Sequence, residues 1–135
     1  MSETISRLRA RSEAVGVAVP PALEERLALY FDLLFRWNTK INLTSLTDTD
    51  AAIDRLLLEP MAAAAVLPQG LRIIDIGSGG GSPAIPLALA SGASKLVMTE
   101  SIVKKAAFLR EAARVIELPA TVEAERFGPA RQFWS

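Results

Sequence analysis

The sequence predicts an α/β fold in which N-terminal helices precede a small sheet of about three parallel strands. Apolar residues recur at helical spacing through the first half of the chain, and short β-branched runs begin only after Pro68-Gln69-Gly70. Beyond that break, strand-like and helix-like segments alternate, which implies right-handed crossovers and a parallel sheet. We therefore divide the chain into a helical region, residues 1–70, and a sheet region, residues 71–135, which together form one compact unit.

Periodicity and punctuation place three helices in the helical region. A polar helix over residues 3–15 precedes an amphipathic helix that starts at the Pro20-Pro21 pair and ends near Asn38. A third helix runs from about residue 51 to residue 67. Pro60 lies inside it and is expected to kink or split it, because proline has no amide hydrogen for the helical ladder.

The sheet region alternates strand and helix. Strands are predicted at residues 71–76, 95–99 and 121–124. The first strand is apolar and β-branched, as buried strands are. Ser82 is predicted to cap the helix that follows, with Pro83 at its first position. The next helix carries an apolar stripe from residue 102 to residue 116.

The segment from Asp75 to Gly81 joins the first strand to its helix and is rich in glycine. Glycines tolerate positive φ and let a ligand approach bare backbone, and the N–H groups that open the next helix favour negative charge. The dinucleotide pattern G-x-G-x-x-G fails at Ser82, whereas D-x-G-x-G fits, with Asp75 two residues before Gly77. The Asp75 carboxylate accepts hydrogen bonds either from loop amides or from a ligand's ammonium group, and the sequence leaves both open.

A second acid, Glu100, ends the second strand, nineteen residues beyond Gly81. A carboxylate at that position can accept both hydroxyls of a ribose. Each feature alone has a structural alternative, since glycines also build tight turns and strand-end acids also face solvent. Together they predict a Rossmann-like site for a nucleotide-containing cofactor.

Composition narrows the chemistry. The chain has 135 residues, half of them hydrophobic, with a formal net charge of zero and neither histidine nor cysteine. These absences remove thiolate chemistry, the commonest metal ligand and the commonest general base, and no metal site is predicted. Zero net charge gives no global field for a nucleic acid, so such a contact needs a local basic patch. No signal-peptide pattern or membrane-spanning apolar run is seen, which favours a cytoplasmic protein.

Three blocks of the sequence resemble the small-subunit ribosomal RNA guanine-N7 methyltransferases, the glucose-inhibited division protein B family. Residues 34–44 are similar to its "W-N-x-x-I-N-L-T" signature. Residues 74–88 look like its cofactor loop with both prolines, and residues 100–111 look like its "D/E-S-x-x-K-R/K-x-x-F-L-R-E" block. The resemblance implies a class I methyltransferase fold, of which this chain carries the Rossmann-like sheet in part.

The resemblance also implies an activity, namely transfer of a methyl group from S-adenosyl-L-methionine to a guanine of 16S rRNA in the small ribosomal subunit. Guanine N7 has an in-plane lone pair and needs no deprotonation, so alignment and electrostatics suffice and no catalytic acid or base is expected. The expected cofactor contacts are Asp75, Gly77, Ser78, Gly79, Gly81, Ser82, Glu100, Ser101 and Glu125. The expected substrate contacts are Asn38, Asn42, Thr44, Lys104 and Lys105.

Several of these polar residues have a structural alternative. The turn from Asn38 to Thr44 can consist of caps, and the lysines can lie on a solvated helix face. Trp37 is expected to pack in the core rather than against a base. Further cations could add to an RNA-binding surface, namely Arg7, Arg9, Arg11, Arg110 and Arg114.

The chain departs from the family in two respects. The family motif "R-H-x-x-D-S" falls on residues 55–60, where Leu56, Glu59 and Pro60 replace its histidine, aspartate and serine. The sheet also has fewer strands than a class I methyltransferase, as if the C-terminal half were lacking, so the first strand is expected to be an open edge. Two alternatives follow: a catalytically incomplete cofactor-fold fragment that serves as a binding or assembly module, and a different nucleotide-binding Rossmann domain, against which Ser82 argues.

Overall fold

The structure, a computed structural model, describes residues 2–124. Its helices are α1 (Glu3–Val15), α2 (Pro21–Asn38), α3 (Asp50–Ile53), α4 (Glu59–Ala64), α5 (Ala84–Ala90) and α6 (Val103–Val115). Its strands are β1 (Arg72–Ile76), β2 (Lys95–Thr99) and β3 (Ala120–Glu123). The elements follow the predicted order, with boundaries that agree or differ by at most three residues. Glu125, an expected cofactor contact, lies outside the described residues.

The strands form one parallel sheet in the order β1-β2-β3, which confirms the predicted topology. The register pairs Ile74 with Val97 and Met98 with Val122. Because α5 connects β1 to β2 and α6 connects β2 to β3, the carboxyl ends of all three strands lie at the same edge of the sheet. That edge places the glycine loop after β1 beside Glu100 after β2.

β1 is less buried than its apolar sequence predicts. It lies at the edge of the described sheet, and Ile74 and Ile76 are 72% and 64% exposed. The prediction of a buried strand is wrong for this face of β1, because no element within residues 2–124 covers it. The expectation of an open edge agrees with the described sheet.

The third helix contains a π-helical turn just before Pro60, where a kink or a split was expected. α3 continues into a π-helical turn, Asp54–Leu58, in which the Glu59 amide donates to the Asp54 carbonyl, and then into α4. Proline lacks the amide that would bond the carbonyl of Leu56, four residues earlier. The Leu56 carbonyl is therefore left without its α-helical donor.

Ser82 does not cap α5. The helix begins at Ala84, Pro83 stands at the N-cap position without a side-chain cap, and the Ser82–Pro83 peptide bond is cis. The Ser82 hydroxyl donates to the Leu56 carbonyl at 2.9 Å. The predicted serine cap is wrong because the hydroxyl bonds an acceptor 26 residues upstream, which local capping preferences do not include.

Three arginines of α1 form ion pairs within the chain. The pairs are Arg7–Asp48 (2.9 Å), Arg9–Glu24 and Arg11–Asp54 (2.7 Å). They join α1 to α2 and to the start of the third helix, and the hydrogen bond from Arg9 lowers the pKa of the Glu24 carboxyl. These guanidinium groups thus bind carboxylates of the helical region, which is a different role from the additional RNA contact considered for them.

The helical and sheet regions share one hydrophobic core. Leu27 and Tyr30 of α2 pack in it with Leu96 of β2 and Phe108 of α6. Trp37 is half-buried against the same core, with its ring centroid 5.6 Å from that of Phe108, as predicted. The two regions are therefore joined by side-chain packing as well as by the chain.

Residues 2–124 contain neither a membrane-spanning helix nor a metal-binding cluster. None of the helices there combines the length and the apolar character that crossing a membrane requires. In the same residues, no group of three acidic side chains is placed to hold a metal ion.

Candidate cofactor-binding site

The glycine loop turns sharply at the carboxyl end of β1. Gly77, Gly79 and Gly81 have φ values of +71°, +55° and +88°, in the region where side chains are strained. The amides of Gly77 and Ser78 both donate to the carbonyl of Thr99 at 2.9 Å. The loop is thus hydrogen-bonded to the end of β2, which brings it next to Glu100.

Two loop glycines lie where a side chain has no room. A Cβ at Gly80 would be 2.9 Å from the Leu43 carbonyl oxygen, and a Cβ at Gly81 would be 2.7 Å from Cδ1 of Ile85. The loop therefore packs directly on the turn after α2 and on the start of α5. Glycine is favoured at residue 80 by the close backbone of Leu43, and at residue 81 by its positive φ together with close side chains.

Glu100 is 7% exposed and holds the loop through its carboxylate. Oε1 accepts from the Gly79 amide and Oε2 accepts from the Ile102 amide, both at 2.9 Å. A carboxylate offers about four acceptor positions, so two backbone hydrogen bonds leave capacity for the hydroxyls of a ribose. The predicted ribose acid and the predicted loop are thus joined by a hydrogen bond.

Asp75 is half-buried at the end of β1, and its Oδ2 accepts from the Ser78 hydroxyl at 2.6 Å. The donor to the Asp75 carboxylate within the loop is thus a hydroxyl, where an amide was predicted. The carboxylate keeps free acceptor positions after this single bond. Direct contact with a ligand's ammonium group stays a prediction.

Sequence reasoning did not identify Tyr30 as part of the site. Its hydroxyl donates to the Gly80 carbonyl at 2.6 Å, and its side chain is fully buried. Burial raises the pKa of the Tyr30 hydroxyl, so the group is a neutral donor at physiological pH. A signal did exist, because a buried tyrosine needs a hydrogen-bond partner, but periodicity did not choose between Tyr30 and Phe31.

The turn after α2 is built largely by its own polar groups. Asn38 Oδ1 accepts from the amides of Leu43 (2.8 Å) and Thr44 (3.0 Å), and the Thr44 hydroxyl accepts from the Leu46 amide (3.1 Å). These contacts match the structural alternative for Asn38 and Thr44. A cavity of about 120 Å³ lies beside the contact between this turn and the glycine loop, and its described lining is Tyr30, Leu34, Leu43, Thr44, Leu56, Gly80 and Ser82.

Asn42 is exposed in the same turn, and the remaining expected contacts lie around the start of α6. Ser101 is exposed next to Glu100, and Lys104 and Lys105 occupy the first turn of the helix. Further along α6, Arg110 donates to the Val122 carbonyl and Arg114 pairs with Glu111. The two lysines lie four and five residues after Glu100, in the first turn of the helix, whereas the two arginines lie further along it.

A glycine loop at the carboxyl end of the first parallel strand, bonded to a buried acid after the second, defines a Rossmann-like α/β protein. The family model described as "GidB: rRNA small subunit methyltransferase G" matches residues 23–131. The chain belongs to this family.

Several relatives carry the name ribosomal RNA small subunit methyltransferase G. Those of Gluconobacter oxydans and Rhodospirillum centenum are each 44% identical to this chain, over 106 and 103 residues that cover 78% and 76% of it. That of Neisseria gonorrhoeae is 37% identical over 111 residues, or 82% of this chain. These matches cover 54%, 47% and 54% of the respective relatives, so the chain spans about half the length of the proteins it matches.

Proposed function

We propose that this chain forms the S-adenosyl-L-methionine-binding part of a methyltransferase that acts on a guanine N7 of 16S rRNA. The observation that carries the proposal is the bond between Gly79 of the positive-φ loop and the buried carboxylate of Glu100. Membership of the family supports the reaction class. We further propose that it acts in the cytoplasm on the small ribosomal subunit, with residues 1–70 and 71–135 working as one unit.

The residues present fit this cofactor. The spare acceptor positions of Glu100 suit ribose hydroxyls, and those of Asp75 suit an ammonium group. Gly77, Gly79 and Gly81 offer backbone without side chains at the same edge of the sheet. When bound, S-adenosyl-L-methionine supplies an electrophilic methyl group. Ser78 and Ser101 complete the proposed direct cofactor contacts within the described residues, Ser82 is proposed to act on the loop itself, and Glu125 is proposed from the sequence alone.

The protein's contribution to the chemistry is proposed to be positional. Guanine N7 already carries a lone pair, so a site that lacks histidine and cysteine can still align it for attack. The rigid loop, the Glu100 carboxylate and the turn from Asn38 to Thr44 set the position of the two reactants and exclude water between them. No side chain is assigned a proton transfer.

Lys104 and Lys105 are proposed to contact RNA phosphate, and Asn38, Asn42 and Thr44 are the other proposed substrate contacts. The first turn of α6 contains both lysines and no acidic residue. Cations are unfavourable at a helix N-terminus, by about 0.3–1 kcal/mol each, because the helix dipole is positive there. A function that uses the charges would offset that cost, and phosphate is the partner that a positive helix end and two lysines favour.

Replacing both Lys104 and Lys105 with glutamine is expected to raise the melting temperature slightly and to weaken RNA binding. Salt titration of binding to a single-stranded 16S rRNA fragment should show a slope reduced by about 0.7 per lost phosphate contact. The matched control is Arg114→Gln in the last turn of the same helix, where the cation is favourable and pairs with Glu111. This control should lower stability slightly and leave the slope unchanged. An unchanged slope in the lysine variant contradicts the phosphate contact.

The proposal as a whole is tested with S-adenosylhomocysteine, the demethylated product. Titration calorimetry of the purified chain should detect binding, and ligand at about 100 times its Kd should stabilise the fold by about 2.7 kcal/mol, seen as a rise in melting temperature. NAD at the same concentration should have no effect. A folded chain that ignores S-adenosylhomocysteine, or prefers NAD, refutes the proposed cofactor. Binding without methyl transfer to small subunits would favour the incomplete binding module instead.

A further inference from the structure

We propose that Ser82 is a positioning residue, which fixes the end of the glycine loop to the helical region through the carbonyl of Leu56 and does not donate to the cofactor. This proposal rests on the proposed function, because the loop is taken to bind S-adenosyl-L-methionine. The sequence-based expectation was a direct contact between Ser82 and the cofactor, and the role proposed here is indirect. It also gives a purpose to Pro60, where the family motif has serine.

The Leu56 carbonyl is the acceptor of the proposed contact. In an α-helix the Leu56 carbonyl would accept from the amide of residue 60, and Pro60 has none. The helix is π-helical over Asp54–Leu58, and Leu56 is only partly exposed. A backbone carbonyl in such a place needs a donor. The Ser82 hydroxyl supplies one at 2.9 Å.

The Ser82 hydroxyl is the donor of this contact. A serine hydroxyl has one hydrogen, and here that hydrogen points to the Leu56 carbonyl. Ser82 can therefore accept a hydrogen bond from a ligand, but it cannot donate one while this contact holds. A negatively charged or carbonyl group of a cofactor would have to compete with the Leu56 carbonyl for the same hydrogen.

Further hydrogen bonds hold the end of the glycine loop next to Ser82. Two residues before Ser82, the Gly80 carbonyl accepts from the buried Tyr30 hydroxyl at 2.6 Å. Gly81 lies between these two anchors, and its amide donates to the Ser78 carbonyl at 2.8 Å. The stretch from Gly80 to Ser82 is thus bonded at both ends to residues of the helical region, and its conformation is set before any ligand arrives.

The test compares Ser82→Ala and Ser82→Thr with the unaltered chain by two measurements. The first is amide hydrogen exchange at Gly81 and Ile85 in the ligand-free protein, and the second is the Kd for S-adenosylhomocysteine. Ser82→Ala is expected to speed exchange at both amides and to raise the Kd about 2- to 10-fold, the range of one lost hydrogen bond. Ser82→Thr keeps the hydroxyl and should restore both values.

A matched control is Ser94→Ala. The Ser94 hydroxyl also donates to a leucine carbonyl, that of Leu71, but at the opposite edge of the sheet. This variant should leave the loop amides and the Kd unchanged. If Ser82→Ala raises the Kd without faster exchange, Ser82 contacts the cofactor directly and the proposal is overturned. If the unaltered chain binds no S-adenosylhomocysteine, the proposed function fails, while hydrogen exchange still decides the role of Ser82.

A double-mutant cycle tests whether the contact acts through Leu56. Pro60→Ala restores an amide at residue 60 that can donate to the Leu56 carbonyl. The carbonyl then has a possible donor besides the Ser82 hydroxyl. In this background Ser82→Ala should alter exchange less than it does in the unaltered chain. An equal effect in both backgrounds would show that the Leu56 carbonyl is not the relevant partner.

Discussion

Gly81→Ala is expected to abolish binding of S-adenosylhomocysteine and to destabilise the fold by about 2–5 kcal/mol. A φ of +88° strains a residue that has a Cβ, at about 1–2 kcal/mol. The new methyl group would also lie 2.7 Å from Cδ1 of Ile85 and 3.1 Å from Cδ2 of Leu109, and overpacking costs about 1–3 kcal/mol. Relief of these contacts requires the fully buried Ile85 and Leu109 side chains to shift or the loop to move. Thermal unfolding and calorimetric titration measure the two effects.

Gly70→Ala separates backbone strain from steric overlap. Gly70 has a φ of +78°, close to that of Gly81, but a Cβ there meets nothing within 4 Å. It also lies before β1, away from the loop. This variant should lose about 1–2 kcal/mol of stability and retain full ligand affinity. If Gly81→Ala merely matches Gly70→Ala in both measurements, the loop is not sterically confined as described.

Glu100→Ala is expected to have the second largest effect. It leaves the amides of Gly79 and Ile102 without their acceptor at a buried position, and each unsatisfied donor costs about 1–3 kcal/mol. It also removes the proposed acceptor of the ribose hydroxyls, so we expect the Kd for S-adenosylhomocysteine to rise by more than about 100-fold. Chemical denaturation and calorimetry provide the two measurements.

Glu100→Gln divides these two contributions. Its amide oxygen can still accept from one backbone N–H, whereas its NH₂ group faces the other as a second donor. We expect an intermediate stability and a Kd closer to that of the alanine variant. Glu123→Gln is the control, because Glu123 ends the neighbouring strand with an exposed side chain. Retained ligand affinity in Glu100→Ala would remove Glu100 from the proposed cofactor site.

The parallel sheet and most helix boundaries could be predicted from the sequence because their signals are local. Gly16, with a φ of +71°, ends α1, and Thr49 caps α3 through the Ala52 amide, as their residue types favour. The glycine loop and Glu100 could be paired because the carboxyl ends of parallel strands meet at one edge. In each case a few neighbouring residues, or a topological rule, determine the outcome.

The supports of the loop could not be predicted, because they depend on contacts between distant residues. Nothing near Ser82 in the sequence identifies the Leu56 carbonyl as its acceptor. Pro60 signals a lost helical bond, but it does not indicate which group replaces that bond. Similarly, β1 has the composition of a buried strand, and whether its outer face is covered depends on elements other than β1 itself.

The bond from Tyr30 to Gly80 spans 50 residues and has a consequence for the order of folding. Contacts of such separation form late, since the intervening chain must first be closed into a loop. During synthesis the helical region is translated before the glycine loop. The residues that support the loop are therefore made first, and the proposed cofactor site is complete only when both regions have docked. Ligand binding would then report on completed folding of the described unit rather than on the sheet alone.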